Sequence, residues 1–256
     1  MATPPPAPTR LARDLKVALS FCTRLPVLQA ISVTGADVAR AGWALPIAGA
    51  LVGAIGALVY WLAAALGLPA MPAAALAVAA TVLSTGALHE DGLADVADGF
   101  GGGATRERKL DIMRDSRLGT YGACALVLSL LLRISAIASL TQPELVVSAL
   151  LAAHIAARGV MPAVMWFVPP AKPDGLSASA GLPPTASVVI AAVLGAIALG
   201  VGLGPGAGAI AVLAVLVGAA VVARLSIAQI GGQTGDVLGA VEQVSEILIL
   251  LVAARI

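Results

Sequence analysis

Seven stretches of this chain run nearly free of charge for most of a bilayer's thickness: 42–66, 70–88, 119–140, 144–168, 186–204, 207–228 and the shorter 241–254. A helix needs about 20 mostly apolar residues to cross the hydrocarbon core. The breaks between the stretches carry the expected punctuation: Pro69 and Pro72, then Pro143, then Pro169, Pro170 and Pro173, then Gly204-Pro205-Gly206. The chain is therefore expected to be all-α, a polytopic integral membrane bundle of about seven transmembrane helices forming one domain over residues 1–256. Gly49, Gly53 and Gly56 put small residues on one side of the first stretch, where a neighbouring helix can approach closely.

Composition supports this reading. Hydrophobic residues make up 59% of the chain and charged residues 11%, against about 25% charged in soluble domains. A net charge of +1 gives no basic surface for nucleic acid, so the lipid bilayer is the expected large partner. Cys22 and Cys124 have neither metal-ligand spacing nor a disulfide framework and read as small core residues. Residues 1–9 are proline-rich, are expected to be disordered and lack the pattern of a cleavable signal. From Arg10 to Leu25 the pattern is an N-terminal amphipathic helix resting on the membrane surface. Leu11, Leu15, Val17, Ala18 and Phe21 form its apolar face, with Arg10, Arg13, Asp14 and Lys16 largely outside it.

Arg10, Arg13, Lys16, Arg24 and Arg40 precede the first stretch, and Arg106, Arg108, Lys109, Arg114 and Arg117 follow the second. The connections near 67–71, 141–143 and 204–206 contain no Lys or Arg. The excess of basic residues on the cytoplasmic side puts the N-terminus, 89–118, 169–185 and 229–240 in the cytoplasm of a protein expected in the inner membrane. All the unusual polar chemistry falls on that one face.

His89-Glu90-Asp91-Gly92-Leu93-Ala94-Asp95-Val96-Ala97-Asp98-Gly99 is the most informative run. Asp91, Asp95 and Asp98 share one face of a helix. A solvated helix end would account for two such acids; three in register at a membrane boundary point to a hard cation such as Mg²⁺. The glycine run 99–103 would let backbone amides approach a phosphate. Thr105 is placed to cap a short helix from Arg106 to Asp115. Arg114-Asp115-Ser116-Arg117 sets two arginines beside the acids, as a pyrophosphate substrate would require. Inside the apolar stretches, His154 and Arg158 share a face, with Arg158 expected to pair with a carboxylate or a phosphate and Arg133 read as a structural partner. Glu242 and Glu246 share another face, where a buried carboxylate needs a proton or a partner. Gly231-Gly232-Gln233-Thr234-Gly235-Asp236 resembles a loop that closes polar groups on a ligand. A transporter would also bury charges in spans, but it would place them near the midplane with access from both sides.

Phe21-Cys22-Thr23-Arg24-Leu25-Pro26, the acidic run, Met113 to Gly122, Ala157-Arg158, Gly175-Leu176 and Gly231 to Glu246 together resemble the cobalamin synthase family, the adenosylcobinamide-GDP ribazoletransferases. The acidic run and the Asp-Ser-Arg block are the specific elements, and Glu90 is read as a variable position within the first. The resemblance implies an enzyme that joins adenosylcobinamide-GDP to α-ribazole or its 5′-phosphate, releases GMP and requires Mg²⁺. On that reading Asp91, Asp95 and Asp98 hold the metal, and Arg114, Arg117 and Arg158 clamp phosphate oxygens. Ser116, Gln233, Asp236 and Glu242 contact substrate. The proton goes to one of Asp98, Asp115, Asp236 or His89. A homo-oligomer, or association with other cobalamin-synthesis enzymes, is compatible with such a bundle.

Overall fold

A computed structural model describes residues 10–25, 33–140, 142–173 and 176–255. The expected disorder of residues 1–9 and the motif residues Pro26 and Gly175 lie outside them. The helices are α1 Arg10–Cys22, α2 Gly35–Arg40, α3 Leu45–Ala65, α4 Ala70–Thr85, α5 Leu88–Gly102, α6 Arg106–Ile112, α7 Thr120–Ser139, α8 Pro143–Gly159, α9 Met161–Phe167, α10 Leu176–Ala180, α11 Thr185–Leu203, α12 Pro205–Ile230 and α13 Gly235–Ala253. Proline opens α3, α8, α9 and α12 within the first two positions, where no amide needs an intrahelical partner.

Each of the seven expected spans falls on helix: α3, α4, α7, α8 with α9, α11, α12 and α13. Among the described residues four helical stretches are long and apolar enough to cross a membrane, or five if α4 and α5, bent by 89°, make one crossing. One of the four, Thr185–Ile230, holds both α11 and α12. These two fold back on each other, because a Cβ on Gly208 would lie 2.7 Å from the Leu199 carbonyl oxygen. The exceptions have physical causes. Helix α4 has only 16 residues, and α13 carries Asp236, Glu242 and Glu246. The chain is a multi-pass helical membrane protein.

Glycines set the closest contacts. Gly49 and Gly53 let α3 lie against the backbone of α8 at His154 and Leu150, and Gly56 admits Thr81 of α4. Helix α1 is amphipathic as expected, and most of its apolar side packs into the protein, with Val17, Ala18 and Cys22 at most 1% exposed and Leu11 left outside. Asp14, read as lying outside the packed face, is buried and accepts hydrogen bonds from Arg40 Nε (2.9 Å) and Trp43 Nε1 (3.2 Å).

The 89–99 segment also differs from a simple cytoplasmic loop. Gly86 (φ 67°) and Ala87 (φ 58°) are both left-handed and turn the chain by 89° between α4 and α5. Glycine suits position 86, where φ is left-handed and a Cβ would have to displace the Arg24 side chain, 2.5 Å away. Helix α5 therefore begins inside the bundle, with His89 and Glu90 buried, and runs antiparallel to α13.

Candidate active site

Two ionic regions meet where α5 packs on α13. A Cβ on Gly92 would lie 2.8 Å from the Asp236 carbonyl oxygen, and one on Gly239 3.3 Å from the His89 backbone. These two glycines let the helices touch, which brings Asp236 to the acids of α5. At the contact is a cavity of about 370 Å³, whose lining combines Phe21, Leu45, Met161 and Met165 with His89, Asp91, Arg114, Lys172, Gln233 and Asp236. Asp91 is exposed and Asp95 partly buried. Burial, and then the neighbouring carboxylates Asp91, Asp236 and Asp98, push Asp95 up to about 7. Such a concentration of carboxylates is a setting that a divalent cation can neutralise.

The loop over the cavity is fixed by its backbone. Gln233 N donates to Pro169 O, and Ala171 N to Gln233 O, both at 2.8 Å. Arg106 clasps the two segments by donating to Ile230 O (2.7 Å) and Ala171 O (2.5 Å). Thr234 then caps α13 by accepting from Val237 N at 3.3 Å.

Asp98 does something different from its two neighbours. It is buried, and its two carboxylate oxygens accept the amides of Gly119 (2.7 Å) and Gly122 (2.8 Å) at the start of α7. It therefore caps α7 from another helix and places negative charge at that helix's positive end. A Cβ on either glycine would fall on this carboxylate. Gly122→Ala should cost about 1–3 kcal/mol by separating Asp98 from its donors, read as a lowered unfolding midpoint in detergent; an unchanged midpoint would refute the capping role. Asp115 lies on the far side of Asp98, paired with Arg117 (Nη2–Oδ2 2.5 Å), which holds the Asp115 carboxyl down at about 2. Both line a second cavity of about 260 Å³ with Asp98, Arg108 and Tyr121.

Below the first cavity, in the apolar interior, lies a cluster that contains both histidines of the chain. Arg158 Nη1 is 2.6 Å from Glu242 Oε1, and Arg133 Nε is 2.8 Å from Glu246 Oε1. Both are close ion pairs whose angles fall short of hydrogen bonds. Arg133 also donates to Glu90 Oε1 (2.8 Å), Gln243 Oε1 (3.1 Å) and Thr81 Oγ1 (3.3 Å). Gln243 donates to Glu242 Oε2 (3.0 Å) and accepts from Ser129 (3.0 Å). Ligand atoms of His154, Glu242 and Glu246 lie within 4.8 Å of one another, near enough to share a metal ion. Each of the two carboxylates already faces an arginine, however, so a cation there would compete with a guanidinium.

The expected site residues thus separate by depth. His89, Asp91, Arg114, Gln233 and Asp236 line the first cavity, with Asp95 beside them. Asp98, Asp115 and Arg117 line the second, and Ser116 is exposed. Arg158 and Glu242, expected to contact substrate, face each other in the interior. Arg133 is the structural partner expected of it, while the structural weight of Glu90 and Gln243 was missed. The available signal was that an ionisable side chain within an apolar helix needs a partner. Met161 and Met165, which line the cavity, carry no signal in the sequence that sets them apart from other apolar residues.

The profile of the cobalamin-5-phosphate synthase family matches residues 14–254. An adenosylcobinamide-GDP ribazoletransferase of Bradyrhizobium diazoefficiens is 59% identical over 241 residues, covering 94% of this chain and 93% of the relative. Those of Mesorhizobium japonicum and Azorhizobium caulinodans are 54% and 47% identical, over 97% and 95% of the chain and 95% and 96% of the relatives. No solved structure matches.

Proposed function

Because the chain belongs to the cobalamin-5-phosphate synthase family, it is a transferase that joins adenosylcobinamide-GDP to ribazole to make cobalamin, and we propose that it does so in the cavity between α5 and α13. The observation that carries this placement is the cavity's mixed lining. Phe21, Leu45, Met161 and Met165 suit the aromatic base of ribazole, and Arg114, Lys172, Gln233 and the carboxylates suit phosphates and their cation. At about 370 Å³ it is the size of a nucleotide-like ligand, so the corrin ring stays outside its mouth.

The chemistry is displacement at phosphorus. A ribazole hydroxyl attacks the phosphorus on the cobinamide side of the pyrophosphate, the bond to the bridging oxygen breaks, and GMP departs. Asp91 and Asp95, one helical turn apart beside the cavity, are the residues that would hold Mg²⁺. When bound, the ion neutralises charge on the pyrophosphate. Asp98 is outside this ligand set because both its oxygens are engaged by α7. Asp236, on the cavity wall, takes the hydroxyl proton, and Arg114 and Lys172 orient phosphate oxygens. The loops with the most basic residues lie on this side of the bundle, which supports an active face turned to the cytoplasm and residence in the inner membrane.

The test is GMP release by the purified chain in lipid, given both substrates with and without Mg²⁺. Release that needs all three supports the reading. Release that survives chelation refutes the metal. A pH series adds an independent readout. The Asp95 carboxyl is raised to about 7 from an ordinary 3.8. The stability it contributes is therefore complete below about pH 4 and lost as pH rises through about 7. The metal-free protein should melt lower at pH 8 than at pH 5, Mg²⁺ should raise the midpoint more at pH 8 than at pH 6, and Asp95→Asn should flatten both trends. An equal Mg²⁺ effect at both pH values would contradict the assignment.

A further inference from the structure

The reaction brings two nucleosides to one pyrophosphate, the ribazole that attacks and the guanosine of the departing GMP. The first cavity, about 370 Å³, is the size of one nucleotide-like ligand, so the guanosine needs a second place. The second cavity, about 260 Å³, adjoins the first along two segments of chain. Helix α5 lines the first through His89 and Asp91 and the second through Asp98 and Gly102. The segment after α6 lines the first through Arg114 and the second through Asp115 and Arg117. Asp91 and Asp98 are seven helical positions apart, about 10 Å along the axis. That is comparable with the reach of a nucleotide from its phosphate to its base.

The lining of the second cavity matches a guanine. The Tyr121 ring rests on Gly101, where a Cβ would lie 2.7 Å from two of its carbons, and the residue stays 58% exposed. It is a fixed aromatic platform with open surface, on which a base can stack. Arg108 and Asp111 are exposed, line this cavity and share one face of α6. The other two carboxylates are occupied, Asp98 by the amides of α7 and Asp115 by Arg117, so Asp111 is the one left to meet a base. A carboxylate accepts and a guanidinium donates. Guanine answers both, giving N1–H and N2–H to the carboxylate and accepting at O6 and N7 from the guanidinium. Adenine accepts at N1 and donates at N6, so it would set like against like.

We infer that the second cavity holds the guanosine of adenosylcobinamide-GDP, with its base stacked on Tyr121 and read by Asp111 and Arg108. This rests on the pyrophosphate lying at Asp91 and Asp95. The substrate then runs along α5, and GMP departs on the side away from the ribazole.

Photolysis of 6-thio-GMP bound to the full chain in lipid nanodiscs with Mg²⁺ locates the base without any mutation. Label is expected on the peptides that carry Asp111 or Tyr121. Label on those that carry Phe21, Met161 or Gln233, or label spread without preference, overturns the inference. Kinetics give a second readout. Tyr121→Leu should weaken GMP binding and raise the KM for adenosylcobinamide-GDP about tenfold. It should lower kcat less than it raises KM, because the base is remote from the reacting phosphorus, and Tyr121→Phe should restore both. Asp111→Asn should cut the preference for GMP over AMP about tenfold. An unchanged KM and an unchanged preference in these variants, each folded by its melting curve, would overturn the inference. Label at Tyr121 from a ligand whose binding responds neither to Mg²⁺ nor to Asp91→Asn would instead mean that the guanosine is rightly placed and the pyrophosphate is not.

Discussion

Asp91→Asn should lower turnover by about 10³-fold while leaving the protein in the membrane and folded. Asp91 is an exposed carboxylate at the cavity wall, one helical turn from Asp95, so its removal creates no buried unpaired group and disturbs no packed contact. What is lost is one of two anionic ligands to a cation whose charge stabilisation is worth several kcal/mol, and each 1.36 kcal/mol is a factor of ten in rate. The variant should also need more Mg²⁺ for half-maximal rate, and the parent's melting temperature in metal-free buffer should be matched or exceeded, because one of the repelling carboxylates has gone. Full activity at the parent's Mg²⁺ requirement would eliminate Asp91 as a ligand and, with it, the placement of the metal.

Arg133→Leu should have the opposite profile, a large loss of stability from a residue that never meets substrate. Arg133 is 1% exposed and serves Glu246, Glu90, Gln243 and Thr81 at once. Removing it leaves two carboxylates buried without their cation, which typically costs about 3–5 kcal/mol. Glu246→Gln should cost less, because the amide oxygen can still face Arg133 Nε. Unfolding in detergent, followed by tryptophan fluorescence or by gel filtration after heating, reads the difference. If Arg133→Leu melts within a degree or two of the parent, the cluster is not what holds α5, α7 and α13 together.

The sequence made the helices legible because proline and glycine mark nearly every break, and it made Asp91 and Asp95 legible because a four-residue spacing puts them on one face. The turn at Gly86-Ala87 was not legible. Gly86 is a helix-stopping residue, but alanine is the strongest helix former and nothing marks Ala87 as a second left-handed residue, yet that turn decides that α5 begins inside the bundle. Asp98 has the same helical register as the other two acids. Its different employment depends on Gly119 and Gly122, which leave room for α7 to start against it, and this is a tertiary fact. The charged residues in the apolar helices were each recognised as needing partners. Which arginine meets which glutamate depends on how α7, α8 and α13 are arranged, and spacing along the chain carries no information about that.

Among the described residues the largest fully buried side chains are Arg133 and Arg158, and their carboxylate partners Glu242 and Glu246 are on α13. During synthesis both arginines enter the bilayer long before α13 exists. At about 5–20 residues per second they spend seconds there with Glu90 as the one carboxylate of the cluster already made. The N-terminal helices therefore form a provisional assembly, open to bilayer thinning, to water or to the quality-control machinery, until the arrival of α13 closes it. A chain cut short before Glu242 would retain every residue of the acidic run and still lack the piece that makes the interior habitable for its own arginines.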